Sequence, residues 1–413
     1  MRSLRRQLGL LERAPAYRLL FFATLGSSFG TLFALLALAV DVKDRTDSGV
    51  WVSALMIGQF LPSVAVGLLA GPFIDRLPRK SLMVASDVVR AAIFCALPFV
   101  GSPGGIVALA ALAGFATGFF RPAVYAGLPN LVSEDDLPAA NGLLQAVENV
   151  SWTIAPPIAG LIVAAWGPHT AYWINAVSFL VSALLIVGIA RRYLQVGAAL
   201  SRGHWRDLAD GLRFVLGARP LLTVLVAWTI GTAGIALVDV GEPFLAKDTF
   251  SAGDFGYGLM FGSIGLGLAL GSFGAGLSVE RRPIGTVYGG TIALAAVGYG
   301  LGAVSPNVWV AAACCVVAGV GNGGANVCNA LLVQRGAPDA IRGRAFTVIM
   351  STNYLFFGVG FVVAGVMRDA IGPRWVWGTA GLLLGIASLA AWVLAQGDEV
   401  EQLEDAKPER AVA

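Results

Sequence analysis

Twelve apolar runs, each close to the length that crosses a lipid bilayer, leave this chain few ways to fold. About 20 residues at 1.5 Å rise cross the hydrocarbon core. In lipid, only helices and closed barrels satisfy every backbone polar group. The first six runs are Tyr17–Val40, Val50–Ala70, Ser81–Val100, Gly105–Leu128, Asn141–Trp166 and Ala171–Ala190. After a polar stretch come Leu221–Val240, Gly256–Gly276, Gly285–Val304, Val308–Val333, Ala345–Val366 and Trp375–Ala395. With 57% hydrophobic and 13% charged residues, the chain carries far more apolar side chain than a soluble domain uses. The expected class is an all-α integral membrane protein with twelve transmembrane helices.

The two sets of six are related. Gly71, Asp75 and Arg76 are echoed by Gly276, Glu280 and Arg281, and Gly167-Pro168 is echoed by Gly372-Pro373. Both echoes fall at one offset, close to half the chain, which indicates an internal repeat. Six spans return the chain to its starting side, so a parallel repeat is topologically allowed. Domain boundaries follow: a six-helix bundle over 1–190, a linker over 191–219, a second six-helix bundle over 220–396 and a disordered acidic tail over 397–413.

Charge sets the orientation. Most of the 28 Lys and Arg residues lie at the N-terminus, in the 71–80 turn, in the linker and on the same side elsewhere. Lys43, Arg45, Lys247, Arg368 and Arg374 fall on the opposite side. Short loops rich in Lys and Arg stay in the cytoplasm, so both termini are expected inside, in a multi-pass protein of the inner membrane. Within the linker, Trp205, Leu208, Ala209, Leu212, Val215 and Leu216 recur at helical spacing, the pattern of an amphipathic helix on the membrane surface.

Several chemistries lack support. Cys95, Cys314, Cys315 and Cys328 all lie in apolar runs, and only His169 and His204 are present. No metal-ligand spacing or nucleophile–base pair emerges, so no metal, cofactor or enzymatic activity is expected. A net charge of +3 without a basic, aromatic-interleaved block excludes a nucleic-acid partner.

The turn Gly71-Pro72-Phe73-Ile74-Asp75-Arg76-Leu77-Pro78-Arg79-Lys80 resembles the loop signature of the major facilitator superfamily. Pro78 stands where the family usually has Gly, and Phe73-Ile74 replace its usual Leu-Ala. The resemblance implies the major facilitator fold, two six-helix bundles working by alternating access. It also implies a cytoplasmic gate formed by Gly71, Asp75, Arg76, Arg79 and Lys80, with Asp75 closing against the start of the eleventh helix. Asp87 and Arg90, at i, i+3, would extend that network, and Arg121 at the inner end of the fourth span would serve it. The stretch Ala155-Pro156-Pro157-Ile158-Ala159-Gly160 is similar to the Gly-Pro-x-x-Gly-Gly element of the family's antiporters, with Ala replacing two glycines. Its Pro156, Pro157 and Gly160 either form a gate kink or bend the helix with no bearing on direction. Arg121-Pro122-Ala123, Leu128 to Val132 and Asp136 to Asn141 resemble the macrolide-efflux and enterobactin-exporter branch.

Polar groups are costly in hydrocarbon and gather on a water-filled path or on one another. Gln145, Glu148, Asn149 and Trp152 form one stripe of the fifth span, and Thr24, Ser27, Ser28 and Thr31 one of the first. Thr232 and Asp239 share a face of the seventh span, and Asn322, Asn326 and Asn329 a face of the tenth. Ser28, Gln145, Asn149, Trp152, Thr232, Asn322 and Asn326 are the cavity candidates. Asn175, Ser178 and Ser182 form a further stripe, suited to interhelical hydrogen bonds.

Glu148 lies within its span, where an ionised carboxylate costs at least ~2.5–3.5 kcal/mol. It is either a proton carrier or a static partner for Arg121; Asp239, closer to the outer surface, is the second proton-coupling candidate. Together with the resemblance, these residues predict a proton-coupled, monomeric exporter of amphipathic small molecules, such as drugs, macrolide-like compounds or a siderophore. An importer, or a transport-dead sensor or scaffold, is the alternative.

Overall fold

The computed structural model describes residues 9–69, 77–190, 194 and 212–405. Those residues build twelve long helices. In the first half they are α1 (Pro15–Thr46), α2 (Gly49–Leu69), α3 (Arg79–Ala96), α4 (Pro103–Gly127), α5 (Leu137–Trp166) and α6 (Pro168–Val187). In the second they are α7 (Arg219–Phe244), α8 (Gly253–Ser278), α9 (Ile284–Val304), α10 (Val308–Gly336), α11 (Asp339–Ile371) and α12 (Pro373–Asp405). Twelve spans within these helices are long and apolar enough to cross a membrane, and no strand occurs among the described residues.

Local chemistry sets several helix starts. Ser102 accepts a hydrogen bond from the Gly105 amide at the head of α4, 3.2 Å away, and Pro103 fills the first turn. Asn307 caps α10 by accepting from the Trp309 and Val310 amides at 3.1 and 3.0 Å. The repeat is visible in the backbone. Gly167 sits at φ 77°, ψ 169° and Gly372 at φ 87°, ψ 166°, each followed by a Pro that opens the next helix. A side chain is strained at these angles, so glycine belongs at both sites.

Several ends lie beyond the apolar runs. α1 continues past Val40 to Thr46, taking Asp41, Lys43, Asp44 and Arg45 into the helix. A charge ends an apolar run but not a helix, and Arg45 stabilises the extension by pairing with Asp41 at i, i+4, 2.6 Å away. α7 passes into a π-helical turn, Leu245–Thr249. The acidic segment expected as a disordered tail begins instead as more helix, because α12 runs to Asp405. Glu399, Gln402, Leu403 and Glu404 are good helix formers, and extending an existing helix needs no new nucleus.

The chain divides into two compact units: Met1–Ser201 with Glu242–Gly265, and Arg202–Gly241 with Leu266–Ala413. In the first, α1 packs on α6 and α5, α2 on α4, and α3 on both α4 and α6. In the second, α9 packs on both α10 and α12. The third helix of each half thus holds the fourth and the sixth, the same arrangement twice. One core of the first unit joins Tyr17, Leu20, Met83, Phe120, Leu144 and Ile186, with the Tyr17 hydroxyl donating to the Ala140 carbonyl at 2.9 Å. In the second, Trp377 is fully buried and its indole N–H donates to Val238 O at 3.3 Å.

Of the linker helix, Trp205, Leu208 and Ala209 lie outside the described residues. Leu212, Val215 and Leu216 occupy a short helix in which Val215 is buried and the two leucines are exposed.

Candidate functional site

Arg121 lies beside Pro122 within α4 and reaches α5. Its Nη2 lies 2.6 Å from Glu148 Oε1, and the Tyr125 hydroxyl donates to the same oxygen at 3.3 Å. Arg121 and Tyr125 are one helical turn apart, so they approach the carboxylate from one face of α4. The pair is partly open: the Arg121 side chain is 60% exposed and that of Glu148 25%. Gln145, one turn before Asn149, donates to its side-chain carbonyl at 3.3 Å. One turn beyond Glu148, half-exposed Trp152 meets Phe261 at 5.4 Å between ring centroids, and Phe261 also meets Tyr257 at 6.1 Å. Acid, amide and aromatic groups therefore follow one another along a single stripe of α5, and the base reaches them from α4. Such a set can hold a proton and bind an amphipathic molecule through its ring and its polar end.

The charged residues expected at the gate separate into different environments. Gly71, Asp75 and Arg76 lie outside the described residues. Lys80 donates to the Val187 and Ile189 carbonyls at 2.7 and 2.5 Å, closing the C-terminal end of α6; Arg79 is partly exposed next to it. Asp87 and Arg90 do not continue a surface network. Arg90 Nη2 lies 2.5 Å from Asp87 Oδ1, with side chains 4% and 0% exposed. The guanidinium is held between the rings of Phe120 and Phe179, 4.5 and 4.1 Å from their centroids, a desolvated cation–π arrangement. Arg121 is brought to Glu148.

Pro156 is buried and Pro157 half-buried where α5 meets α8. A Cβ added at Gly258 would lie 2.5 Å from Pro156 O, and one at Gly262 2.3 Å from Pro157 Cγ. Gly160 faces the Asp254 carbonyl in the same seam. The Pro-Pro element is thus matched to glycines that let the two helices touch backbone to backbone.

The other cavity candidates divide. Ser28 and Thr232 are half-buried, and Thr232 donates to Thr229 O at 3.0 Å. Asn322 and Asn329 are buried while Asn326 is exposed. Asp239 is half-buried near the end of α7. In the α6 stripe Ser178 donates to Asn175 O of its own helix at 2.8 Å, while Ser182 sets its hydroxyl against Asp87 of α3. Gly30 of α1 lies so close that an added Cβ would sit 2.2 Å from Ser178 Oγ.

Two polar contacts had no signal in local spacing. Thr229 donates to Asn353 Oδ1 at 3.0 Å, and Tyr172 donates to Asp41 Oδ2 at 2.9 Å. Each links residues more than a hundred positions apart. A polar residue in an apolar run was the available clue; its partner was not. Among the described residues, no group of three or more His, Cys, Asp and Glu side chains is placed to hold a metal ion.

The sequence profile of the Major Facilitator Superfamily matches residues 19–361. Multidrug efflux pump Tap of Mycobacterium tuberculosis (strain ATCC 25618 / H37Rv) is 27% identical over 376 residues, 87% of this chain and 88% of that one. Macrolide efflux protein A of Streptococcus pyogenes is 20% identical over 418 residues, 95% of this chain and all of that one. The crystal structure of nucleoside transporter NupG superposes with a TM-score of 0.71 at 14% identity, covering 93% of this chain and 98% of that one.

Proposed function

The chain belongs to the major facilitator superfamily, and from that premise we propose that it is a proton-coupled exporter of amphipathic small molecules. As a membrane transporter it moves small molecules across a bilayer. The observation that carries the proposal is the partly open Arg121–Tyr125–Glu148 constellation inside two membrane-length helices. A proton on Glu148 cancels the attraction that holds Arg121, so one proton switches the constellation between two arrangements. Trp152 and Phe261 lie one turn and one helix away, where the ring system of a substrate would feel the change. Proton entry supplies ~2.3 kcal/mol per charge for each 100 mV and ~1.4 kcal/mol per pH unit.

Export, as opposed to import, is supported by the printed functions of the similar pumps, multidrug and macrolide efflux. The Pro156-Pro157 seam, similar to an antiporter element, agrees with it. The charge distribution supports an inner-membrane protein with both termini in the cytoplasm, and the two six-helix halves of the sequence would expose the site alternately.

A susceptibility and accumulation screen in an efflux-deficient host tests the proposal. Expression should lower cellular accumulation of at least one lipophilic drug or macrolide, and a protonophore should restore it. Lowered accumulation that a protonophore leaves intact would contradict proton coupling; accumulation raised by expression would contradict export.

A further inference from the structure

Each half of the sequence carries a Lys-Asp dipeptide just after a first span: Lys43-Asp44 at the end of α1 and Lys247-Asp248 in the turn that follows α7. The two dipeptides exchange partners. Lys43 pairs with Asp248, and Lys247 Nζ lies 2.7 Å from Asp44 Oδ2. Each lysine also has a carboxylate on its own stretch of chain: Asp47 at 3.7 Å for Lys43, and Asp254 at 2.5 Å for Lys247. The lysines are sheltered, with side chains 11% and 14% exposed, while Asp44 and Asp248 reach water at 47% and 38%.

The other face of the same α1 end is fastened differently. Asp41 accepts from Arg45 Nε at 2.6 Å and from the Tyr172 hydroxyl at 2.9 Å. Arg45 Nη1 donates to Gly101 O at 3.1 Å. This face ties α1 to α6 and to the connection between α3 and α4. The end of α1 therefore has a fixed mount on one side and a reciprocal ion exchange on the other.

We propose that the Lys43–Asp248 and Lys247–Asp44 exchange is a latch. It closes the end of α1 against Glu242–Gly265 and releases once in each transport cycle; in this it rests on the alternating-access reading above. A buried lysine stripped of its only partner is strongly unfavourable. Here neither lysine faces that state, because Asp47 and Asp254 remain beside Lys43 and Lys247 when the cross pairs part. The solvent-exposed carboxylates regain water at the same time. Both arrangements keep every charge partnered or hydrated, as a reversible two-state element requires.

Hydrogen–deuterium exchange on the full-length protein tests the closure. Lys43→Asp and Asp248→Lys should each speed amide exchange in 40–48 and 245–252 at least tenfold. The double swap should return both segments to within threefold of the parent. Single variants that exchange like the parent, or a swap that restores nothing, would overturn the latch. Should a reversal not fold, Lys43→Gln and Asp248→Asn are held to the same criterion.

A second measurement tests release. In proteoliposomes, Asp44→Cys with Lys247→Cys, joined by a short bis-maleimide, should pump ethidium at least tenfold more slowly than the same protein left unjoined. Equal rates would overturn the latch. If the unjoined protein moves no ethidium at all, it is the efflux reading that fails for this probe, and the exchange result decides the latch by itself.

Discussion

Two of the arginine–carboxylate pairs in the first unit teach opposite lessons. Arg90 and Asp87 are one turn apart on α3, shut away from solvent and held between Phe120 and Phe179. Arg121 and Glu148 come from different helices, and both are accessible. The first pair cannot exchange its partner or its proton without breaking the packing of α3 on α4 and α6. The second can do both by rotating side chains. Burial, more than charge, separates a pair locked into packing from one open to exchange.

Breaking the closed pair should produce the largest effect. Arg90→Ala strips buried Asp87 of its cation, and removing one partner of a buried pair costs about 3–5 kcal/mol. The expected result is a large loss of folded protein in detergent, measured by thermal unfolding and yield. Replacing both partners, Asp87→Leu with Arg90→Met, removes the stranded charge. That variant should recover most of the loss, as buried pairs exchanged for apolar groups of similar volume often do. A double variant no more stable than Arg90→Ala would give the buried pair a role beyond packing.

Opening the accessible pair should affect transport far more than folding. Arg121→Ala is expected to shift stability by less than about 1 kcal/mol, the scale for exposed ion pairs, while lowering proton-driven efflux at least tenfold. Unfolding curves and initial efflux rates on one preparation check both halves of that statement. Tyr125→Phe removes the 3.3 Å hydrogen bond to Glu148 while leaving the Arg121–Glu148 pair in place. It should slow efflux by a few fold, in line with a net hydrogen-bond contribution of about 0.5–1.5 kcal/mol. An effect as large as that of Arg121→Ala would place Tyr125 in the proton path.

The same contrast explains what was legible in the sequence. Hydropathy located the twelve spans, because lipid demands long apolar helices and the code for them is local. The Gly167-Pro168 and Gly372-Pro373 echo is matched by paired backbone angles, since positive φ followed by proline is also a local instruction. The α5 stripe was legible for a related reason: a helix places i, i+3, i+4 and i+7 together. Its partner on α4 was named only as one of two options, because no spacing rule connects residues 27 apart on different helices.

Asp87 and Arg90 show the limit most clearly. Their i, i+3 spacing and nearness to the charged turn suggested an extension of the gate. Phe120 and Phe179, which enclose Arg90, come from α4 and α6, and their convergence is a tertiary fact. The charged end of α1 likewise lies beyond the apolar run, and two of its partners, Tyr172 and Asp248, lie far along the chain. Short-range chemistry was readable, and long-range partnering was not.

The central claim is that Glu148 carries the proton, and Glu148→Gln in proteoliposomes addresses it most directly. Glutamine keeps the size and the hydrogen bonding of a protonated carboxyl but cannot titrate. With a transported drug on both sides and no gradient, the variant should exchange drug at a rate within a few fold of the parent. Under an imposed pH gradient it should accumulate none above equilibrium. Gradient-driven accumulation equal to that of the parent would contradict the account.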